Sequence, residues 1–367
     1  MKYPKFLPEK GTIGFVAPSF GCNTEPYKTA FDSALEKFKA LGHGLDLGSN
    51  CYEGCGIGIS NTPEACGKEL TEYYCSKDND VLISVGGGEL MCETMSNVEF
   101  EAIKAAEPKW YMGYSDNTNM TFLLTTLCDT AAIYGPCAQT FGMEPWDESL
   151  QDTFDLLCGK KDMVSGYSLW EKDSLKDKEH PLVPYNLTEE REMRGFLPIE
   201  RSMVNETQQG RMTDLRSFHG KENPDVEVQF EGRLVGGCMD CLVNLLGTKF
   251  DDVRGFNERY REDGIIWFLE SCDLNVMAIR RAVWQMKNAG WFESVKGFLI
   301  GRPLCFGQDI MGLDQYKAVV DLLKEYNVPI IMDLDIGHLA PMMPMVSGAY
   351  AKVAIRGNDI NISYIWK

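Results

Sequence analysis

A chain of 367 residues, 44% hydrophobic and 25% charged, has the composition of a globular protein with room for two domains. Its 54 acidic residues against 36 basic ones give a net charge of -18, which argues against nucleic acid or an anionic membrane as partner. No apolar run approaches the roughly 20 residues of a membrane span. Residues 1–10 lack the apolar core of a signal peptide, and the 13 cysteines, an odd number, suit a reducing compartment, so a cytoplasmic location is expected.

Taken in chain order, residues 13–17 form a short buried-strand run ending at Pro18. Phe31, Leu35, Phe38 and Leu41 recur at spacings of four and three and predict one apolar helix face. Residues 80–85 read as a second strand closed by Gly86, Gly87 and Gly88, and residues 109–114 as a third that stops at Ser115. A helix through Phe122, Leu123 and Leu127 follows, then a fourth strand at 131–134 ended by Gly135-Pro136. Such alternation predicts a mostly parallel sheet covered on both faces, with ligands at the carboxyl ends of its strands.

Residues 160–177 and 189–192 are charged and weakly periodic, and Pro181 and Pro184 break any helix, so a linker or irregular substrate-facing segment is expected there. Strand signals resume at 232–237 and at 264–269, the latter followed directly by Glu270. A helix with Val276, Ile279, Val283 and Met286 on one face comes next, then strands at 297–300 and 328–332. A Gly337-His338 loop and a strand-rich end at 349–365 complete the chain. The expected organisation is an N-terminal α/β domain (1–165), a charged linker or substrate-facing segment (166–230) and a C-terminal α/β domain (231–367) with added β structure.

Ser115 is the candidate nucleophile. A serine at a strand-to-helix corner is held on a sharp turn, beside a helix N-terminus that favours negative charge. It needs a base and a group to orient the base. Of the four histidines, His43 lies in a Gly-His-Gly turn, and His180 and His219 lie in the polar middle segment. His338 follows a strand, where sheets deliver site residues, although a loop histidine can also simply cap a turn. Glu270 leaves a buried strand and requires a partner, which a histidine can supply; the alternative is an acid at the start of the next helix, a capping role that Asp273 fits better. The backbone N–H of Asp116 and those of Gly86, Gly87 and Gly88 are candidate oxyanion donors, the glycines alternatively forming only a tight turn. The string Gly113-Tyr114-Ser115-Asp116-Asn117 lacks the second glycine of an ordinary α/β-hydrolase elbow. Cys238 and Cys241 have Cys-x-x-Cys spacing, but zinc normally needs two further ligands, and the only other close pair, Cys51 and Cys55, suggests a loop.

Together these motifs resemble the LD-carboxypeptidase family of serine peptidases, which includes the microcin C self-immunity peptidases. The likeness covers nearly the whole chain: residues 7–19, the glycine turn at 84–88, the nucleophile motif at 113–118, Tyr134-Gly135-Pro136, residues 232–237, Phe268-Leu269-Glu270 and Gly337-His338. The resemblance implies a Ser-Glu-His triad of Ser115, Glu270 and His338. It implies a Rossmann-like N-terminal domain (a flavodoxin- or amidotransferase-like parallel sheet), a smaller C-terminal domain completing the site, a homodimer, and no metal or organic cofactor. Its substrates would be small peptides with a C-terminal D-residue, such as murein tetrapeptides, or, in the microcin branch, a peptidyl- or aminoacyl-nucleotide amide.

Two departures bear on the substrate. Cys238 stands where the family has an asparagine after its paired glycines, and residues 168–173 and 185–189 look more like the microcin branch. A two-domain binding protein would use the same strand ends without catalysis, and a structure holding Ser115 and His338 well beyond hydrogen-bond reach would favour that reading. An amidotransferase-like hydrolase would need a cysteine where Ser115 stands. Trp146, Trp170 and Tyr114 could stack on a nucleobase, although such residues more often pack internally.

Overall fold

The computed structural model describes residues 1–199 and 215–367. Five strands, β1 (Thr12–Val16), β2 (Gly44–Leu47), β3 (Val81–Ser84), β4 (Trp110–Gly113) and β5 (Ala132–Tyr134), run parallel in the order β5-β4-β3-β1-β2. Every residue of β3, β4 and β5 is buried, which is why each reads as a continuous apolar run. Helix Tyr27–Ala40 turns Ala30, Phe31, Ala34 and Phe38 inward, and the rings of Phe31 and Phe38 lie 5.6 and 5.9 Å from Phe15 on β1. Helix Pro63–Cys75 starts with Pro63, whose missing N–H costs nothing there, and Thr62 caps the Ala65 N–H.

The remaining strands are β6 (Met163–Ser165), β7 (Leu169–Glu171), β8 (Leu187–Glu190), β9 (Arg194–Pro198), β10 (Leu215–His219), β11 (Glu227–Cys238), β12 (Ile265–Glu270), β13 (Val295–Gly301), β14 (Ile330–Leu334), β15 (Met345–Ser347), β16 (Tyr350–Arg356) and β17 (Asp359–Ile365). Nine of them form a second sheet in the order β10-β9-β14-β13-β12-β11-β16-β17-β6. Its centre, β11 to β14, is parallel, and antiparallel strands flank it on both sides. β15 leaves this half and pairs antiparallel with β5, giving the first sheet a sixth strand.

The middle segment is more regular than its sequence suggests. β7 and β8 make a two-stranded ribbon, and β9 and β10 extend the second sheet past β14. These strands are short and only partly buried, so their alternation is faint; residues 200–214 of the segment lie outside the described residues. Among the described residues no helix is long and apolar enough to cross a membrane. The carboxyl ends of β3, β4 and β5 face those of β12 and β14, and the chemistry collects where they meet.

Candidate active site

β4 ends at Gly113, and two residues later Ser115 adopts φ 61°, the left-handed region that a side chain enters only at a cost. A single turn over Ser115–Asn117 then leads into helix Thr118–Thr126. The corner is fastened by its own polar residues. Asn117 Nδ2 donates to the carbonyls of Gly86 at 2.8 Å and Tyr114 at 3.1 Å, tying the glycine turn after β3 to the turn after β4. The buried Asp116 carboxylate accepts from Ser19 Oγ, from the Met91 N–H at 2.8 Å and from Asn119 Nδ2 at 3.0 Å. Burial raises its pKa, although the hydrogen bonds from Ser19 and Met91 oppose that shift. Neither Gly87 nor Gly88 spends its N–H on a partner among the described residues. A Cβ at position 87 would stand 3.1 Å from Ser115 Cβ and 3.2 Å from its Oγ, so the turn presses its bare backbone against the serine.

The second sheet brings the other two residues. Glu270, the last residue of β12, is wholly buried, and His338, in the loop after β14, is 12% exposed. His338 Nδ1 lies 2.9 Å from Glu270 Oε2, and its Nε2 lies 2.9 Å from Ser115 Oγ. With the Nδ1–H donating to the carboxylate, Nε2 is free to accept the serine proton. Gly337 takes φ 104°, and a side chain there would run into the Glu270 carboxylate. The Tyr134 hydroxyl, at the end of β5, donates to Glu270 Oε1 and accepts from the Ser115 N–H at 3.3 Å. Burial works against the charge on Glu270, yet the neighbouring imidazole and the hydrogen bonds from His338 and Tyr134 hold its carboxyl below the ordinary range. Burial alone would lower the His338 pKa, but the Glu270 carboxylate, together with Cys272 beside the ring, more than offsets this and raises it well above the usual value.

The other histidines stand apart from this group. His43 is buried with Nδ1 3.1 Å from the Gly11 carbonyl, His180 pairs with Asp177 at 3.0 Å on the surface, and His219 faces Glu192 at 3.5 Å. Asp273 does not cap the helix after β12. Asn275 does so, through Ala278 N–H at 2.9 Å, because the helix begins at Val276 and only Asn275 is in the capping position. Trp170 packs against Phe306 with the Arg302 guanidinium 4.9 Å from its ring, and Trp146 packs among Phe38, Phe141 and Phe154; Tyr114 tilts against His338 at 5.1 Å. Cys238 and Cys241 flank the serine corner, Cys241 Sγ lying 3.6 Å from the Ser115 carbonyl. Neither belongs to the one group of three metal-ligand-type side chains among the described residues, Glu192, His219 and Glu222.

Sequence reasoning missed three contributors: the Tyr134 hydroxyl, the Asp116 carboxylate and the Asn117 amide. The available signal was position, since each is a polar group at or just beyond the end of a buried parallel strand. What results is a hydroxyl in line with an imidazole and a carboxylate, beside unpartnered backbone donors, an arrangement suited to acyl transfer. Ser115 Oγ and His338 Nε2 are within hydrogen-bond reach, so the separation that would have favoured a non-catalytic binding cleft is not found.

Comparison with known proteins agrees. Residues 13–135 match the LD-carboxypeptidase N-terminal domain and residues 231–353 the LD-carboxypeptidase C-terminal domain. A protein of Vibrio cholerae named as a carboxypeptidase is 21% identical over 370 residues, covering 100% of this chain and 99% of its own. A Bacillus subtilis protein named as a murein peptide carboxypeptidase is 24% identical over 358 residues, 95% of this chain and 90% of its own. Among solved structures, the microcin C7 self-immunity protein MccF in complex with aspartyl sulfamoyl adenosine superposes with a TM-score of 0.76 at 19% identity, covering 99% of this chain and 98% of that one. The mostly parallel first sheet, the mixed second sheet and both domain matches therefore lead to one assignment: the chain belongs to the LD-carboxypeptidase family of serine peptidases.

Proposed function

We propose that Ser115, Glu270 and His338 act as a Ser-Glu-His triad that hydrolyses the amide between an L-residue and a C-terminal D-residue, as at the end of a murein tetrapeptide. The observation that carries this reading is the imidazole of His338 lying 2.9 Å from both Ser115 Oγ and Glu270 Oε2. His338 takes the Ser115 proton while Glu270 holds the ring. Ser115 attacks the scissile carbonyl, and the N–H groups near Gly87 and Asp116 receive the oxyanion. His338 then protonates the leaving amine, and water releases the acyl group by the reverse path. The Bacillus relative's name supports a murein peptide as substrate.

A second reading has its own support. MccF, similar in fold, holds aspartyl sulfamoyl adenosine, so an aminoacyl- or peptidyl-nucleotide amide is the alternative substrate. Incubating the protein with an L-Lys-D-Ala-ended tetrapeptide and with an aminoacyl-sulfamoyl adenosine, and reading products by mass, separates the two. The expected result is loss of D-Ala from the tetrapeptide. Turnover should fall by roughly 10³-fold or more in Ser115→Ala and His338→Ala proteins that keep the wild-type circular dichroism spectrum. Near-normal turnover by Ser115→Ala would remove the triad.

A further inference from the structure

The loop that carries His338 runs from Asp335 to Pro344 and holds no helix or strand of its own. Among the described residues, neither Gly337 nor His338 makes a backbone-to-backbone hydrogen bond. The imidazole nevertheless sits 2.9 Å from both Ser115 Oγ and Glu270 Oε2. What fixes the loop lies on either side of the histidine. Before it, the Asp335 carboxylate accepts from Arg302 Nη2 and from the Tyr167 N–H at 2.7 Å, and it makes a longer ion pair with Arg191 Nη1 at 3.5 Å. After it, the Ala340 carbonyl accepts the Glu171 N–H at 2.7 Å. Tyr167, Glu171 and Arg191 all belong to the middle segment, so that segment brackets the histidine.

The charges of this bracket are buried. Asp335 is wholly so, and Arg302 and Arg191 are 2% and 4% exposed. Arg302 also donates to the Asp333 carbonyl at 2.8 Å and sets its guanidinium 4.9 Å from the Trp170 ring on β7. Arg191 donates to the Asn358 carbonyl at 2.6 Å and has a second, exposed acid in Asp359 at 3.5 Å. Neither Nε–H of the two arginines has a partner among the described residues. A buried ion pair seldom stabilises a fold more than an apolar replacement would, and unpaired N–H groups add to its cost. Its advantage is direction: a planar guanidinium donates along fixed lines, which an apolar contact does not impose. Neither Arg302 nor Asp335 lines the cavity of about 70 Å³ that opens beside Ser115, so any effect they have on the reaction passes through the loop.

We propose that Asp335 and Arg302 are positioning residues for His338, and that the middle segment, seated on them through Tyr167, Trp170 and Arg191, sets the alignment of the base. The inference rests on the proposed role of His338. Asp335→Asn and Arg302→Gln should each lower kcat on the L-Lys-D-Ala-ended tetrapeptide at least about 10-fold, with KM within about 3-fold of wild type. Arg302→Lys, which keeps the charge and loses the planar fork, should fall between. Rates are taken per folded molecule, from circular dichroism. Arg302→Gln leaves Asp335 with Arg191 and the Tyr167 N–H, so it decides the matter if Asp335→Asn does not fold. A kcat within twofold of wild type in Arg302→Gln, or a loss confined to KM, overturns the proposal.

A second readout needs no substrate. The chain has four histidines, so the His338 imidazole signal in a nuclear magnetic resonance pH titration is assigned by its loss in His338→Ala. The groups facing that ring are Glu270 and Cys272 after β12, Ser115 and Tyr114 after β4, and Glu89 after β3, and Arg302→Gln alters none of them. Deleting a nearby positive charge by itself raises a histidine midpoint, whereas a ring displaced from Glu270 loses the charge that holds it up. The His338 midpoint should therefore fall in Arg302→Gln by about half a pH unit or more. An unmoved or raised midpoint overturns the proposal. If the tetrapeptide is not cut by the wild-type protein, the substrate reading fails by itself, and this titration still decides whether Arg302 and Asp335 hold the ring against Glu270.

Discussion

His338 is held between opposing influences. Its largely buried ring disfavours charge; the buried Glu270 carboxylate 2.9 Å away is the largest influence favouring it, and with Cys272 it outweighs burial. The sign for activity follows. A general base must reach the serine unprotonated, so below its raised pKa the ring already carries the proton that it should take from Ser115 Oγ. Activity is therefore expected to rise with pH, with the half-maximal point of kcat/KM above the ordinary histidine value of about 6.5. Glu270→Gln removes the charge that raises His338 and leaves the burial that lowers it. The midpoint should move to lower pH while the maximal rate falls by roughly 10²–10⁴-fold. Matched pH–rate profiles of the two proteins check both effects, and an unmoved midpoint would mean that Glu270 does not set the imidazole's charge. Glu270 and His338 could be picked from the sequence because Glu270 directly follows an apolar run that had to be a strand and His338 lies in the loop after another. Tyr134 could not, because a tyrosine closing a buried strand looks like core until its hydroxyl is seen between Ser115 and Glu270.

At the scale of elements, the corner after β4 works only with the turn after β3 pressed against it. Asn117 spans the two through the Gly86 carbonyl, and Gly87 leaves almost no room above Ser115. Gly87→Ala would place a methyl 3.1 Å from Ser115 Cβ, a separation that forces one of the two turns to give by a few tenths of an ångström. The serine is already in a constrained backbone conformation and must stay aligned with Nε2, so such a shift should cost at least about 10-fold in kcat/KM. The thermal midpoint should change by no more than a few degrees, since only a partly exposed turn is disturbed. Wild-type kinetics in Gly87→Ala would mean that this close approach is not used. The fully buried strands and the two-sided helix patterns were legible because burial leaves a continuous apolar signal. β9, β10 and β15 were not. β9 and β10 are only partly buried, and β15 pairs with a strand more than 200 positions earlier, which no local pattern encodes. The capping role passed from Asp273 to Asn275 for a similar reason: a two-residue difference in where the helix begins decides it, and the sequence offers two suitable side chains.

Across the whole molecule, the two sheets do not have separate cores. One apolar cluster joins Phe15, Ile83, Trp110 and Ile133 of the first sheet to Leu234, Ile266, Leu299 and Ile331 of the second. The other joins Val16, Leu82 and Tyr111 to Val235, Trp267, Phe298 and Ile330. The chain also crosses between the halves in both directions: β6 closes the edge of the second sheet, and β15 closes the edge of the first. Buried Arg233 on β11 reaches the Tyr3 hydroxyl at 3.2 Å and the Gly348 carbonyl at 2.7 Å, adding a polar tie near the same seam. A chain of this length with two sheets would ordinarily unfold in steps. Here neither half can open without exposing apolar surface of the other and freeing a strand edge, so one cooperative transition is expected. Trp110 reports on the first sheet and the stacked pair Trp267 and Trp291, 5.6 Å apart, on the second. Urea unfolding followed by tryptophan fluorescence and by far-ultraviolet circular dichroism should give coincident midpoints, and calorimetry a single peak. Two resolved transitions would mean that the shared core is too weak to couple the halves. The site built from β4, β12 and the loop after β14 would then be the first structure lost, because Ser115 comes from one sheet and Glu270 and His338 from the other.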